Sequence, residues 1–317
     1  MSFLEIKNLK KYFDVPRGTL HAVDDVTLSV EKGTTIGIVG ESGCGKSTLG
    51  KTIMKLTEPT SGQIIFDGVD IAPMKQREFD KYRYQVQMIF QDPYATLDSR
   101  MTVSSLIAEP LIVSRQLRDK AAIEKRVDEL MDLVGLAARV KHSYPHELDG
   151  GRRQRIGIAR ALALNPQFIV CDEPVSALDV SIQAQVLNLL QDLQKEMGLT
   201  YMFITHDMSV VKHISDEIAV MYLGQVIERC EAKELFRNTL HPYSKALLSA
   251  IPIPNIHAKR ERILLKGELT SPINPKKCCR FAPRCPMATE ECFNREPEHR
   301  EVCPGHFVSC HKVQPVD

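Results

Sequence analysis

The chain has 317 residues, 43% of them hydrophobic and 26% charged, with 41 Lys plus Arg against 40 Asp plus Glu. That length allows one large core with a smaller appendage, and the near balance of charge argues against a protein whose main work is coating nucleic acid or anionic lipid. The N-terminal MSFLEIKNLKKYF lacks the continuous apolar segment of a secretory signal, and no stretch approaches the roughly 18 apolar residues of a membrane span, so a cytosolic chain is expected.

Short strand-like runs alternate with longer helical patterns, which predicts an α/β core. LHAVDDVTLSV and TIGIVG read as strands, and KSTLGKTIMKL as a helix. FDG at Phe66 to Gly68 reads as a strand entering a turn, and QVQMIFQD from Gln85 as a buried strand running into a loop. Residues 100–145 look mainly helical, an insertion between motif-bearing elements. RRQRIGIARALAL from Arg152 is helical and is stopped by Asn165-Pro166 before the apolar strand QFIVCDE. A long helix over SIQAQVLNLLQDLQKEM ends at Gly198, before the strand TYMFITH. The Pro-containing segment from Ile251 reads as a connector to a tail that holds six of the nine cysteines.

GESGCGKST, Gly40 to Thr48, fits G-x-x-x-x-G-K-[ST] and stands between a predicted strand and a predicted helix, as a P-loop requires. Gly40, Gly43 and Gly45 let the backbone wrap a phosphate, with Ser42 and Cys44 between them, and the unpaired N–H groups at the helix start face the anion. Lys46 is placed to reach the β- and γ-phosphates and the Ser47 hydroxyl to coordinate Mg²⁺, with Thr48 following. The plain alternative is a glycine turn capped by Ser47.

FIVCDE, Phe168 to Glu173, delivers two adjacent carboxylates to the end of an apolar strand, a Walker B pattern. Asp172 suits Mg²⁺, and Glu173 suits polarising an attacking water. Alone, such a strand end is more often a solvated loop. His206 after the next strand, and Gln91 after MIF, are likewise ordinary by themselves. The order P-loop, strand-end Gln, Gly-Gly turn, Asp-Glu strand, strand-end His changes the weights.

In that order the sequence resembles the ATP-binding cassette (ABC) ATPases over roughly its first three quarters. The resemblance implies an ABC-type P-loop ATPase core with an antiparallel β subdomain and an α-helical subdomain, ATP as nucleotide, Gln91 as the Q-loop residue sensing Mg²⁺ and water, SALD (Ser176 to Asp179) as the D-loop, and His206 as the switch contacting the γ-phosphate. It implies Phe13 as the adenine-stacking aromatic, with Tyr12 the less favoured choice and core packing the alternative for either.

The resemblance also implies that the turn beginning LSGGQ closes over ATP bound to a partner ATPase. Here the turn is LDGGR: Asp149 stands where the family has Ser, then Gly150, Gly151, and Arg152 where the family has Gln. Aspartate is a good helix N-cap. As an ionised acceptor it repels phosphate by about 1 kcal/mol per charge pair at 4 Å in water, or about four times that at an effective dielectric near 20. Arg152 is free, as far as the sequence goes, to pair with phosphate or with Asp149. The expectation is a weakened composite site.

HPYSKALLSAIP from His241 and the Cys-rich tail resemble the C-terminal signature of oligopeptide and dipeptide importer ATPase subunits. Within that family the matching Cys279, Cys285, Cys292 and Cys310 imply a [4Fe–4S] cluster, with Cys278 and Cys303 as departures from the pattern. Four thiolates also suit structural Zn²⁺, with His306 and His311 nearby. The domains expected are 1–235, a nucleotide-binding domain with its helical subdomain at about 92–160, and 236–317, an extension with a small cluster-binding tail.

The expected protein is a peripheral ATPase subunit on the cytoplasmic face of the cell membrane. Its partners would be a paralogous ATPase subunit, two transmembrane permease subunits and, indirectly, an extracytoplasmic peptide-binding protein, with no nucleic acid. The rivals are a nickel or other small-solute importer ATPase, a nontransport ABC ATPase of repair or translation, and a cluster-binding redox protein. Repair relatives carry a long coiled-coil insertion and translation relatives two cassettes, neither of which this sequence shows.

Overall fold

The structure is a computed structural model; it describes residues 2–92, 96–251, 262–267 and 270–315. Residues 252–261 and 268–269 of the connector expected from Ile251 therefore lie outside the described residues. The chain divides into two compact units, one formed by Met1–Pro73 and Phe203–Asp317, the other by Met74–Met202.

In the first unit, an antiparallel sheet has the strand order Gly18–Val30, Leu4–Val15, Ser61–Phe66, Val69–Asp70. Its last turn is the predicted FDG, with Asp67 at φ 46° and Gly68 at φ 80°. In a second sheet, Thr35–Val39 runs parallel to Glu217–Tyr222, which is antiparallel to Gln225–Glu231. All five residues of Thr35–Val39 are buried, as suits a parallel strand covered on both faces. Gly40 to Gly45 follow it and lead into the helix Lys46–Ile53.

The Cys-rich tail does not make a sheet of its own. His306–Val308 adds antiparallel to Gln225–Glu231, and Arg300–Cys303 pairs outside it. The reason is the shortage of apolar side chains in a tail this short. Phe281 instead joins a core with Val39, Tyr222, Tyr243 and Leu248, against which Cys279 and Cys285 also pack. Fully burying one such aromatic contributes about 1.5–3 kcal/mol.

A buried hydrogen-bond network fixes the tail strand. Glu228 is fully buried, and its carboxylate accepts from Leu240 N at 2.7 Å and His241 N at 3.1 Å, with His306 Nε2 at 2.9 Å. His241 in turn caps the helix Pro242–Ser249 by accepting at Nδ1 from Tyr243 N, 3.1 Å away.

In the second unit, Val86–Ile89 pairs parallel with Phe168–Asp172. The expected helical insertion contains Val103–Ser114, capped by Thr102, and Lys120–Leu133, capped by Asp119. Gly150–Leu162 and the long helix Val180–Met197 follow, the latter closed by Gly198 at φ 65° as the sequence predicts. Among the described residues no helix is long and apolar enough to cross a membrane.

Candidate functional site

The P-loop is shaped by contacts that exclude side chains. Gly45 caps the helix at φ 107°, and a Cβ there would lie 2.1 Å from the Ala22 carbonyl oxygen. Gly43 is also left-handed, at φ 80°. Lys46 is buried, and its ammonium donates to Gly40 O at 2.8 Å and Glu41 O at 3.0 Å, so the loop's own carbonyls cradle it. Ser47 and Thr48 are half-buried on the first turn, and Ser42 is exposed at the tip. Burial raises the Cys44 thiol above its ordinary value against the nearby Lys46 charge, so this cysteine fills space under the loop as a neutral group.

In the same unit His206 is exposed immediately after the strand Thr200–Thr205, every residue of which is buried. The neighbouring Asp207 caps the helix Met208–Ile214 through Ser209 N at 2.7 Å.

The structure separates the two candidate aromatics. Tyr12 stacks on His21 with ring centroids 3.9 Å apart, and its hydroxyl donates to Asp24. Asp24 is also held by His21 Nδ1 at 2.9 Å and by the Arg280 guanidinium. Burial alone would raise the Asp24 carboxyl, but the bonds from Tyr12 and His21 and the charge of Arg280 hold it below the usual carboxylate range. Tyr12 is thus committed to the protein. Phe13, the next residue on the strand, is 37% exposed, with the Lys11 ammonium 4.7 Å from its ring centroid.

In the second unit, Asp172 is buried at the end of a wholly buried strand. Glu173 follows in a left-handed backbone, φ 47°, which a non-glycine residue adopts only when its surroundings impose it. The turn behind it supplies that constraint: Ser176 donates to Glu173 O through its amide at 3.3 Å and its hydroxyl at 3.1 Å. Gln91, exposed beyond Val86–Ile89, donates through Nε2 to Glu173 Oε2 at 3.1 Å. The predicted Q-loop and Walker B residues are therefore brought together.

The Gly-Gly turn opens the helix Gly150–Leu162, with Asp149 as N-cap accepting from Arg152 N at 2.8 Å. The Arg152 guanidinium folds back to the same carboxylate, Nε to Oδ2 3.4 Å. Space beside both glycines is tight: a Cβ at Gly151 would meet Ile182 Cγ2 at 2.6 Å, so that side chain would have to shift, and one at Gly150 would press on Leu178 Cδ2 at 3.1 Å.

In the tail, burial pushes the Cys279 thiol up to about 11 and also raises Cys285, and Cys292 and Cys310 add to both shifts by charge repulsion. Two of the four expected ligands are in direct backbone contact, Cys279 N donating to Cys292 O at 3.0 Å. All are free thiols, however, and among the described residues no group of three or more His, Cys, Asp or Glu is disposed to hold a metal ion. Cys285 Sγ accepts from Met287 N at 3.4 Å, and Cys292 Sγ lies 3.4 Å from Thr289 Oγ1, so local turns engage these sulfurs. His306 and His311 are held by Glu228 and by Arg295 O respectively. The donor set suits a cluster or zinc in composition but is not arranged as a closed ligand set among the described residues.

Reading the sequence did not single out Glu41, Tyr243, Asp24, Arg280 or Arg284. Each acts through a partner distant in sequence; the signal that was available is the pair of arginines inside CCRFAPRCP.

Comparison with known proteins shows the family. Residues 23–176 match the family described as ABC transporter, and residues 227–292 the family described as oligopeptide/dipeptide transporter, C-terminal region. The oligopeptide transport ATP-binding protein AppF of Bacillus subtilis is 52% identical, covering 98% of this chain and 97% of that protein. OppF of Salmonella typhimurium, an oligopeptide transport ATP-binding protein, is 51% identical over 99% of this chain and 97% of its own length. Among solved structures, a dimeric post-hydrolysis state of the ATP-binding cassette MJ0796 bound to ADP and Pi is similar at TM-score 0.66 and 30% identity, covering 72% of this chain and 98% of that one. CbiO1 from Clostridium perfringens, part of the ABC transporter complex cbiONQ, is similar at TM-score 0.67 and 30% identity over 75% of this chain and 91% of its own. Identity at that level along almost the whole length, together with the two family matches, shows that the chain belongs to the ATP-binding proteins of the ABC transporters, in their oligopeptide/dipeptide branch.

Proposed function

We propose that this chain hydrolyses MgATP as one of two ATPase subunits whose closing and opening drive peptide import through two membrane permease subunits. The observation that carries the reading is Glu173, a carboxylate held in a left-handed turn at the end of a buried strand and hydrogen-bonded by Gln91. The names of the relatives support the peptide as cargo.

In this reading the P-loop amides bind the phosphates, and Lys46 exchanges its two carbonyl partners for β- and γ-phosphate oxygens. Ser47, Asp172 and Gln91 would hold Mg²⁺, which supplies neutralisation of the charge on the transferring phosphoryl group. Glu173 accepts a proton from water as the water oxygen bonds to the γ-phosphorus; the bond to the bridging oxygen breaks, and ADP and phosphate leave. His206 orients the γ-phosphate, and Phe13 stacks on adenine. Asp149, Gly150 and Gly151 close over nucleotide held by the second, nonidentical ATPase subunit. The chain works at the cytoplasmic face of the membrane, opposite an external peptide-binding protein.

Glu173→Gln tests this. The expected outcome is an ATP-bound dimer that persists and turnover reduced about 100-fold or more; undiminished turnover rejects the reading. No step uses a [4Fe–4S] cluster or zinc. Iron, sulfide and zinc content of anaerobically purified protein decides that expectation separately.

A further inference from the structure

The tail reaches the P-loop. Arg284, inside CCRFAPRCP, forms a two-pronged ion pair with Glu41, the second residue of the P-loop: Nη1 to Oε2 2.6 Å and Nη2 to Oε1 3.0 Å. Glu41 is fixed at its other groups as well. Its amide donates to the Tyr243 hydroxyl at 2.9 Å, and its carbonyl accepts the Lys46 ammonium at 3.0 Å. Arg284 is itself anchored, with its guanidinium 5.9 Å from the Tyr222 ring centroid and Nε donating to Lys266 O at 3.3 Å. Phe281 packs against both Tyr222 and Tyr243, at centroid distances of 5.3 and 5.4 Å, and the two tyrosines touch each other at 4.8 Å, so the aromatic floor and the arginine come from one packed assembly.

We infer that Arg284 is a positioning residue for nucleotide binding: by clasping Glu41 it holds the P-loop, and through it the Lys46 ammonium, in the shape that receives phosphate. Two physical effects follow. A loop held in its bound shape loses less conformational freedom when the ligand arrives. A carboxylate one residue into a phosphate-binding loop would oppose a polyanion, and the guanidinium neutralises it at contact distance. The partners lie 243 positions apart, so the clasp exists only when the tail is docked, which makes the extension part of the nucleotide site.

The inference rests on the nucleotide reading above, and the test keeps the two apart. MgATP affinity is measured calorimetrically on the full chain, and KM and kcat separately in the assembled complex, for wild type and for Arg284→Ala, Arg284→Lys, Glu41→Ala and the double alanine variant. Wild-type protein that binds no MgATP sinks the nucleotide reading itself. With binding wild type, Arg284→Ala is expected to weaken affinity about tenfold, Glu41→Ala and the double variant measurably but less, since removing the carboxylate also removes its repulsion of phosphate, and Arg284→Lys less than Arg284→Ala, since lysine keeps the charge although it cannot make the two-pronged pair. For the two Arg284 variants KM should rise while kcat at saturation stays within about twofold. Unchanged affinity, additive losses, or a fall in kcat alone overturns the inference. If Arg284→Ala fails to fold, Glu41→Ala, made from the half-exposed P-loop side, decides by the same criteria.

Discussion

Asp149 and Arg152 neutralise one another at the start of the helix Gly150–Leu162: one carboxylate oxygen caps Arg152 N at 2.8 Å and the other meets the Arg152 guanidinium at 3.4 Å. Both side chains are about half exposed, so the pair itself contributes little to stability, whereas the cap contributes about 1 kcal/mol.

This relationship sets the first prediction. Asp149→Ser keeps a capping oxygen and removes the charge, so unfolding free energy should change by less than about 0.5 kcal/mol while ATPase turnover of the assembled complex rises. Arg152→Gln leaves the carboxylate uncompensated and should lower turnover. Equal rates for wild type and both variants in the reconstituted complex would show that this turn does not meet phosphate.

Phe13 and Tyr12 separate adenine recognition from structure. Phe13→Ala should weaken MgATP binding by a stacking contribution of about 1–3 kcal/mol, with little change in unfolding. Tyr12→Phe removes the hydroxyl bound to Asp24 and should cost about 1 kcal/mol of stability with nucleotide affinity nearly unchanged. Nucleotide titration beside chemical denaturation reads both, and the reverse pattern would assign adenine to Tyr12.

Glu228 carries the strand to which the tail attaches. Glu228→Ala would strand the amides of Leu240 and His241 and the ring of His306 in a dry interior, so a loss of about 3–5 kcal/mol is expected. Glu228→Gln retains an acceptor and should lose less. Urea midpoints compare the two, and a loss below about 1 kcal/mol for the alanine variant would mean that water reaches the site.

His241 gives the stability a pH dependence. Burial holds its folded value down to about 4, below the ordinary value of about 6.5 expected for the unfolded chain. As pH falls below about 6.5 the unfolded chain takes up the proton first. The stabilisation is therefore complete above about pH 6.5 and is lost as pH falls towards about 4, on the order of 3 kcal/mol in total. His241→Asn retains a capping side chain without the titration, so its stability should fall less steeply between pH 6.5 and 4.5, by about one proton's slope. Parallel slopes in denaturation series at several pH values would remove His241 as the cause.

The sequence alone determined the local machinery. Gly40 to Thr48, FIVCDE and the Gly-Gly turn were legible because each needs particular residue types at fixed spacing: glycines where a Cβ would strike backbone, carboxylates at the end of an apolar run, a capping residue before a helix. Gly198 and the FDG turn were legible for the same reason, since left-handed backbone restricts residue choice. What tertiary structure decided were choices between chemically equal neighbours. Tyr12 and Phe13 are adjacent aromatics, and only the approach of Asp24, His21 and Arg280 commits one of them. Arg152 had two anions to choose from in the sequence, and its own helix turn presents Asp149. The Arg284 clasp on Glu41 and the addition of His306–Val308 to the ATPase sheet join residues far apart in the chain. Such pairings follow no local spacing rule, because they are set by where buried aromatic and ionic groups find partners once the chain has closed on itself.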